Sequence, residues 1–321
     1  MNPMRHIFKT AFVLGAVLTS VSCEMEFDVK DIKGEDRLFV ECVPSPLDDY
    51  FEIVVLGTRS INNPTLDSDL SRLNLQMTVD GKRQDLAVRT DGNRRIFTGS
   101  GTFVPGQNLV IEAYSPGYEE IHAETVVPEM VEDFEVWLEA DDRGGYIVNV
   151  KYQDDALTED MYGVMVTERC IEESADGGFV GIFQQETMKY IEPMTYNMDS
   201  SSGILMDFHA DVDNLIMWND SRSRDGDYQT FRIRMSRSYD FPASDSNYTG
   251  QPNMLKPQYK VHLLKLSPEF YRYYKGRQDE QNDFLGILGL SAATFTYTNV
   301  NGGLGVLGSM SHTESQWLSN L

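Results

Sequence analysis

Hydrophobic and polar residues alternate in many short segments of this chain, with the two-residue period of a half-buried β-strand. Residues 73–79 alternate strictly, and an Asp80-Gly81 hairpin turn follows them directly. Similar short runs, separated by turn signals, occur at residues 51–56, 86–88, 96–97, 103–104, 109–114 and 118–127. Strands at this spacing, with no helical period between them, predict an immunoglobulin-like β-sandwich over residues 37–130.

A second β-rich domain is predicted over residues 131–321. Phe134, Val136 and Leu138 alternate with polar residues, which is again the strand period. Further strand-like runs occur at residues 146–152, 162–166, 228–235 and 259–266. The predicted fold class is therefore mainly β, with two tandem antiparallel β-sandwich domains and one C-terminal helix in the second.

That helix is predicted over residues 268–280. Ser267 can cap its first turn, and Pro268 suits the first helical position because that position needs no N–H donor. Glu269 complements the positive end of the helix dipole. One aromatic face, expected to pack against a sheet, comprises Phe270, Tyr273 and Tyr274.

The N-terminus has the pattern of a secretory signal. Basic residues precede an apolar run at 11–18, a small-residue stretch at 19–22 comes next, and Cys23 follows at once. Eight apolar residues are too few to cross a bilayer, which takes about 20. Residues 1–22 are therefore predicted to be a signal peptide, and an ordinary secretory signal with a chance cysteine is the alternative.

The cysteine after the small residues resembles the lipobox of bacterial lipoproteins. The resemblance implies cleavage between Ser22 and Cys23, attachment of lipid, including palmitate, to Cys23, and anchoring in the outer membrane. Glu24, Glu26 and Asp28 resemble the surface-export signal of Bacteroidota lipoproteins. We therefore expect an acidic tether over residues 23–36 and exposure on the cell surface.

The charge of the chain excludes some partners. The 321 residues carry a net charge of -23, and loss of Arg5 and Lys9 with the signal peptide would bring it to -25. Because such an acidic surface repels phosphate backbones, no nucleic-acid partner is predicted. Cys42 and Cys170 are expected to be small buried side chains, and no disulfide between them is predicted because they fall in different domains.

Two acidic segments could suggest a cation site. Residues 207–213 place Asp207, His209, Asp211 and Asp213 on one face of a strand, but neighbours two apart are roughly 6–7 Å from each other, too far for four ligands to hold one ion. A polar outer face is the preferred interpretation, and a surface metal site is the alternative. Residues 220–227 resemble a calcium loop, yet Arg232 stands where its final Glu belongs, so an acidic hairpin turn is the preferred interpretation.

No recognised catalytic motif occurs in the sequence. The histidines form no H-E-x-x-H, and neither G-x-S-x-G nor a Walker A sequence is present. We therefore predict no enzyme activity and no catalytic, cofactor-binding or metal-binding residues, and no cofactor.

Gly303, Gly305 and Gly308 form a literal G-x-G-x-x-G, the spacing of dinucleotide-binding loops. Only 13 residues follow Gly308, which is 321 minus 308, and they cannot hold the helix, the returning strand and the ribose-binding acid. No nucleotide is predicted. Instead we expect a bent, closely packed segment whose packing side chains are Val300, Leu304, Val306 and Leu307.

Several segments together resemble the Bacteroidota lipoprotein family catalogued as domain of unknown function 4249. They are residues 37–42, 154–155 with 161–164, 219–220 with 225–228, 261–274 and 298–309. The resemblance implies a lipid-anchored surface protein without enzyme activity, acting beside a TonB-dependent receptor in nutrient uptake. A surface hydrolase of glycan or peptide, and a structural or adhesive surface protein, are the alternatives.

Overall fold

The structure is a computed structural model that describes residues 36–58, 70–142, 145–155, 157–174, 176–189, 191–193, 215–220, 226, 228–235, 241–242, 254–282 and 297–319. The chain divides into two compact units, and all of these residues except Asp36 belong to the unit formed by Arg37–Thr58 and Ser68–Leu321. Within the described part of the chain, no helix has the length and apolar character that crossing a membrane requires. The fold is mainly β, as predicted.

Two sheets form the first β-sandwich. The first sheet contains β1 (Leu38–Cys42), β2 (Tyr50–Gly57), β5 (Ala87–Asp91), β6 (Arg94–Ser100) and a C-terminal strand, β18 (Leu304–Leu307), in the order β18-β1-β2-β6-β5. The second sheet contains β3 (Asn74–Val79), β4 (Lys82–Arg83), β7 (Asn108–Tyr114) and β8 (Ile121–Val126), in the order β4-β3-β7-β8. A short 3-10 helix, Leu70–Arg72, precedes β3.

The alternating pattern explains the core of this sandwich. Leu75, Met77 and Val79 of β3 are buried, and the residues between them are not. They face Val40 and Ile53 of the opposite sheet within one hydrophobic core. Since a strand points successive side chains to opposite faces, one face of each sheet lies inward and the other meets solvent.

Two further sheets form the second β-sandwich. One sheet contains β9 (Phe134–Ala140), β10 (Tyr146–Gln153), β13 (Ile191–Pro193) and β15 (Tyr228–Met235), in the order β13-β15-β10-β9. The other contains β11 (Met161–Glu173), β12 (Phe179–Met188), β14 (Ile216–Asn219), β16 (Phe241–Pro242), β17 (Met254–Leu266), β19 (Met310–Glu314) and β20 (Leu318–Ser319). In that larger sheet, β11 and β17 pair along 13 residues and carry the shorter strands at their edges.

An aromatic cluster fills the core between these two sheets. Trp218 stacks on Tyr162 with ring centroids 5.8 Å apart, and it meets Phe231 edge-on at 4.6 Å. The Trp218 indole N–H donates to the Tyr152 hydroxyl at 3.0 Å, which satisfies the buried polar atom.

The larger sheet is covered on both faces. Its second face packs Met165, Leu264 and Leu266 against Phe270 and Tyr271 of the C-terminal helix. This explains the uninterrupted apolar run at the start of β11, because a strand buried on both faces does not alternate.

The helix, α1, spans Pro268–Asn282 and ends two residues beyond the predicted end. The Phe270 N–H donates to the Ser267 hydroxyl at 3.3 Å, which confirms Ser267 as the N-cap. Phe270 and Tyr273 are 1% and 3% exposed, as expected for the packed aromatic face, and Tyr274 of the same face is half-buried.

One strand pair departs from the antiparallel pattern, because β18 runs parallel to β1. Gly305 of β18 has a φ of +104°, and an added Cβ would overlap the carbonyl oxygen of Val40. Gly302 has a φ of +75°, and its Cβ would meet the Glu120 carbonyl oxygen. The glycines thus permit close backbone approach, as predicted, and Val306 and Leu307 are fully buried beside them.

The same segment joins the two sandwiches. β18 belongs to the first sandwich. The chain then continues through Ser309 into β19, which belongs to the second. The Ser309 N–H donates to the Ser267 hydroxyl at 3.1 Å, and its own hydroxyl donates to the Val126 carbonyl at 2.9 Å. By sequence, β18 belongs to the predicted second domain, but by pairing it belongs to the first sandwich.

Candidate functional site

A cleft of about 580 Å³ lies between the two sandwiches. One wall comes from β1, β2 and the loop between them, and the other from α1, from β11, β17 and β19, and from the residue before β14. The first wall carries Glu41, Val43, Ser45, Asp48, Tyr50, Phe51, Glu52 and Val54, and the second carries Met165, Leu215, Leu264, Phe270, Tyr274 and Met310. A cleft with an apolar floor and a few polar groups is the usual form of a ligand site.

The polar groups of the cleft are mainly acidic and partly paired. Tyr274 donates its hydroxyl hydrogen to Glu41 at 3.4 Å, and Arg277 lies 3.7 Å from the other Glu41 oxygen. Burial, and next the charge of Glu41, raises the pKa of Tyr274 well above its usual range. At neutral pH this hydroxyl is therefore a protonated donor at the edge of the cleft.

A second polar site lies at one end of the second core, where three aspartates come together. Asp154, Asp160 and Asp220 are 4%, 6% and 2% exposed, and one carboxylate oxygen of each lies within 4.8 Å of the others. Asp154 follows β10, Asp160 precedes β11 and Asp220 follows β14. The cluster therefore forms only when these three strands assemble.

Tyr162 and Lys265 hold the aspartate cluster. The Tyr162 hydroxyl donates to Asp154 at 2.5 Å and lies 3.3 Å from Asp160. The Lys265 ammonium is 2.6 Å from Asp160, which makes a short, nearly buried ion pair. Burial, and next the hydrogen bond to Asp154, raises the pKa of Tyr162, so it remains a donor.

The aspartate cluster borders an acidic cavity of about 410 Å³. Asp154, Tyr162 and Lys265 form its inner wall, and Glu129, Glu132 and Asp133 lie around them. Carboxylate oxygens are the ligands that Ca²⁺ takes. Here Lys265 and Tyr162 already supply positive charge and hydrogen bonds to the carboxylates, and the Asp160 N–H donates to Asp220 at 2.9 Å. We interpret the cluster as structural: its hydrogen bonds and ion pair hold the start of β11 next to the end of β14.

A third group, on β17 and β19, contains two histidines and a glutamate. One ligand atom each of His262, His312 and Glu314 lies within 4.8 Å of the other two. His262 is opposite Glu314 in the strand pair, and His312 is two residues before Glu314, so the three share one face. The His262 Nδ1 atom is 3.9 Å from the nearer Glu314 oxygen.

Both histidines are held in their neutral form. Burial, followed by repulsion from His312, lowers the pKa of His262 to about 4. Burial also lowers the pKa of His312. At neutral pH each ring therefore keeps one nitrogen lone pair that can accept a proton or bind a metal.

Several residues named from the sequence fall outside the described part of the chain. These are Ser22 and Cys23, and the acidic segment with Asp207, His209, Asp211 and Asp213. Of the calcium-like segment, Asp220 is described, and it lies in the aspartate cluster.

The two described cysteines are not bonded to each other. Cys42 is 1% exposed in the first core, and burial raises the pKa of its thiol far above the usual range. Cys170, predicted to be buried, is only half-buried in β11 of the second sandwich, where its thiol is 3.9 Å from the Ile171 carbonyl oxygen.

The sequence did not single out either the aspartate cluster or the histidine group. Asp154 and Asp220 are 66 residues apart, and His262 and Glu314 are 52 apart, so no local spacing joins them. The one local signal was His312-x-Glu314, two potential ligands on one face of a strand.

Comparison with known proteins places the chain in a family. The model of the family described as Domain of unknown function (DUF4249) matches residues 23–316. The search of curated proteins found no match.

Solved structures give weak similarities. One is the C-terminal domain of the Streptococcus agalactiae AgI/II polypeptide BspA, with 7% identity, coverage of 74% of this chain and 94% of that one, and a TM-score of 0.18. Another is the C-terminal domain of the Streptococcus pyogenes antigen I/II-family protein AspA, with 7% identity, coverage of 72% and 96%, and a TM-score of 0.17. Such TM-scores are too low to bear on function. The family match, which covers most of the chain, shows that this protein belongs to the DUF4249 family.

Proposed function

We propose that this protein is a lipid-anchored, non-enzymatic binding protein of the outer membrane, which assists nutrient uptake beside a TonB-dependent receptor. The observation that carries the binding role is the 580 Å³ cleft between the sandwiches. Its walls come from hydrogen-bonded strands and a capped helix, and concave sites of this size suit small ligands.

The lining of the cleft favours one kind of ligand. Tyr50 is half exposed and Phe270 lies deeper, so an apolar ring or chain could rest between them. Asp48 and Glu52 lie on the same wall, and these carboxylates would accept hydrogen bonds from hydroxyl or ammonium groups. We propose a ligand with an apolar body and a cationic or hydroxyl-rich end.

The membrane anchor is supported by the N-terminal sequence. Cys23 follows a basic, apolar and small-residue pattern, and the family match begins at Cys23 itself. Lipid on this residue would give stable anchoring, since each buried CH₂ contributes about 0.8 kcal/mol. The acidic residues after Cys23 support a position on the outer face of the outer membrane, in a member of the Bacteroidota.

The binding role can be tested with two matched tyrosines. Tyr50 lines the cleft, whereas Tyr114 is 52% exposed at the end of β7 and does not line it. We expect a ligand from a panel of oligosaccharides, peptides and amines to bind the wild type and Tyr114→Ala equally. Tyr50→Ala should bind about tenfold more weakly, because loss of a contacting aromatic ring removes roughly 1–2 kcal/mol. Equal binding by all three proteins would exclude the cleft as the site.

The anchor can be tested in cells. Labelled palmitate should enter the wild-type chain but not Cys23→Ala, and Cys23→Ala should leave the membrane fraction. Protease added to intact cells should degrade the wild-type protein. Protection of the wild type, with degradation only after lysis, would contradict surface exposure.

The partner can be tested at an exposed apolar strand. In β12, Phe179 and Phe183 are 65% and 66% exposed, and Val180 and Ile182 are half exposed. Exposed apolar patches mark interaction surfaces, so we expect Phe183→Ser to lower co-purification of a TonB-dependent receptor from native membranes.

Turnover of a glycan or peptide by the purified protein would favour the alternative of a surface hydrolase. Altered cell contact with normal nutrient uptake would favour the alternative of an adhesive surface protein.

A further inference from the structure

We propose that His262, His312 and Glu314 form a binding site for one divalent transition-metal ion, with Zn²⁺ as the ion that fits best. This inference is independent of the proposed cleft ligand. The sequence predicted no metal residues, and the group becomes visible only through the pairing of β17 with β19.

The first support is the set of donors and its geometry. Two imidazoles and one carboxylate are the ligands of open Zn²⁺ sites, which keep a further position for water or substrate. The three donor atoms lie within 4.8 Å of one another, whereas donors around a bound Zn²⁺ lie about 3.4 Å apart for metal–ligand distances of about 2.1 Å. The site must therefore close by up to about 1.4 Å on binding; Glu314, whose side chain is 48% exposed, has room to turn toward the ion, and the two imidazoles must also approach each other.

The second support is an unsatisfied atom. His262 is only 2% exposed, and among the described residues its Nδ1 atom has no hydrogen-bond partner. Buried polar atoms in native proteins are nearly always satisfied, so this atom is available to a ligand at the site. The Nδ1 atom lies on the side of the ring that faces Glu314, at 3.9 Å.

The third support is the contact that orients the ring. The other nitrogen of His262, Nε2, is 3.1 Å from the hydroxyl of Thr167 on β11. When Nε2 carries the proton and donates it to Thr167, Nδ1 is left with a lone pair directed toward the site. Metal-bound histidines almost always have such a partner on their second nitrogen.

One neighbouring charge opposes metal binding. Lys260 lies 3.1 Å from Glu314 and would repel the ion. Its ammonium group also lies 4.9 Å from the ring centre of Trp317, which offers it a cation–π contact. Lys260 can therefore keep a partner when Glu314 turns toward the metal.

The test uses the full chain with Cys23→Ser, purified in detergent without a histidine tag and stripped with EDTA. Calorimetric titration with Zn²⁺ should give one ion per chain. His312→Gln and Glu314→Gln should each weaken binding roughly tenfold or more, because each removes one of three ligands. Both residues lie at least partly exposed, so we expect both variants to fold, and circular dichroism checks this.

Two control variants make the test specific. His122 is exposed and lies 3.6 Å from Glu112 and 3.9 Å from Glu124, so it offers the same residue types without a second histidine. His209 belongs to the acidic segment, residues 207–213, that the sequence suggested as an alternative metal site. His122→Gln and His209→Gln should bind Zn²⁺ as the parent does. If either lowers affinity as much as His312→Gln, or if no ion binds, the proposal is wrong.

A spectroscopic readout tests Thr167 as a positioning residue. Co²⁺ bound at the site should show the visible absorption of a four- or five-coordinate ion. Thr167→Val should weaken Co²⁺ binding and shift that spectrum, and Thr167→Ser, which keeps the hydroxyl, should restore both. An identical spectrum and affinity in Thr167→Val would contradict the assigned orientation of His262.

Discussion

At the scale of single residues, backbone space rather than side-chain chemistry explains the glycine-rich C-terminal segment. Gly305 combines a φ of +104° with a backbone neighbour, Val40, that leaves no room for a Cβ. Gly81, in the hairpin turn before β4, has a φ of +74° and nothing within 4 Å of an added Cβ. Substitution of Gly81 would therefore introduce backbone strain alone, whereas substitution of Gly305 would introduce both strain and steric overlap.

We predict that Gly305→Ala lowers the free energy of unfolding by more than about 3 kcal/mol, because the strand pair β1–β18 must separate to admit the methyl group. Gly81→Ala should cost only about 1–2 kcal/mol, the strain of a positive φ alone. Urea unfolding of both variants measures this. Similar costs for the two would show that β18 does not approach β1 so closely.

His262 gives a prediction about pH. The groups near it are His312 and Glu314 on β19, Lys260 on its own strand and Thr167 on β11. Its pKa is lowered from 6.5 to about 4, so below pH 6.5 the unfolded chain gains a proton that the folded chain does not. Its contribution to stability is therefore complete above pH 6.5 and is lost as the pH falls toward 4.

We predict that acidification from pH 7 to pH 4 destabilises the wild type more than His262→Gln, by up to about 3 kcal/mol. The comparison is made by urea unfolding in EDTA, so that no metal contributes. The difference between the two proteins isolates His262 from the carboxylates, which titrate in both. If the free energy of unfolding falls with pH equally in the two proteins, the folded protein accepts a proton on His262 without losing stability.

At the scale of elements, the N-cap of α1 also ties two distant strands together. Ser267 is fully buried, and its hydroxyl accepts hydrogen bonds from the N–H groups of Phe270 and Ser309. The cap was predictable from Ser267-Pro268-Glu269. The second bond was not, because it joins residues 42 positions apart.

We predict that Ser267→Ala costs about 2–3 kcal/mol, since it removes the cap and leaves the buried Ser309 N–H unpaired. Ser45→Ala provides a control, because the Ser45 hydroxyl accepts one local bond, from the Leu47 N–H at 3.2 Å. Thermal unfolding of the two variants should show a clearly larger loss for Ser267→Ala. Equal losses would indicate that Ser267 acts only as a local cap.

At the scale of the whole molecule, β18 and β19 link the two sandwiches. The chain from 304 to 314 pairs first with β1 and then with β17. Thr125 of the first sandwich bonds Glu269 of α1 at 3.0 Å, and Ser311 bonds the Glu129 carbonyl at 3.0 Å. Unfolding either sandwich would remove contacts that the other needs.

We predict one unfolding transition for both sandwiches, read by two probes. All three tryptophans, Trp137, Trp218 and Trp317, lie in the second sandwich, while the buried thiol of Cys42 reports on the first. In a protein with Cys23 and Cys170 replaced by serine, tryptophan fluorescence and thiol labelling should give the same urea midpoint. Gly81→Ala should lower both midpoints equally, and a shift in the thiol signal alone would show independent unfolding.

The sequence by itself determined the local structure of this protein: the mainly β class, most strands and the helix start at Ser267-Pro268. These follow from side-chain period and capping, which act between near neighbours. Tertiary structure alone decided which distant residues meet. The parallel pairing of β18 with β1, the cleft, the aspartate cluster and the His262–His312–Glu314 group depend on strand order and register, because these bring together residues separated by 50 or more positions.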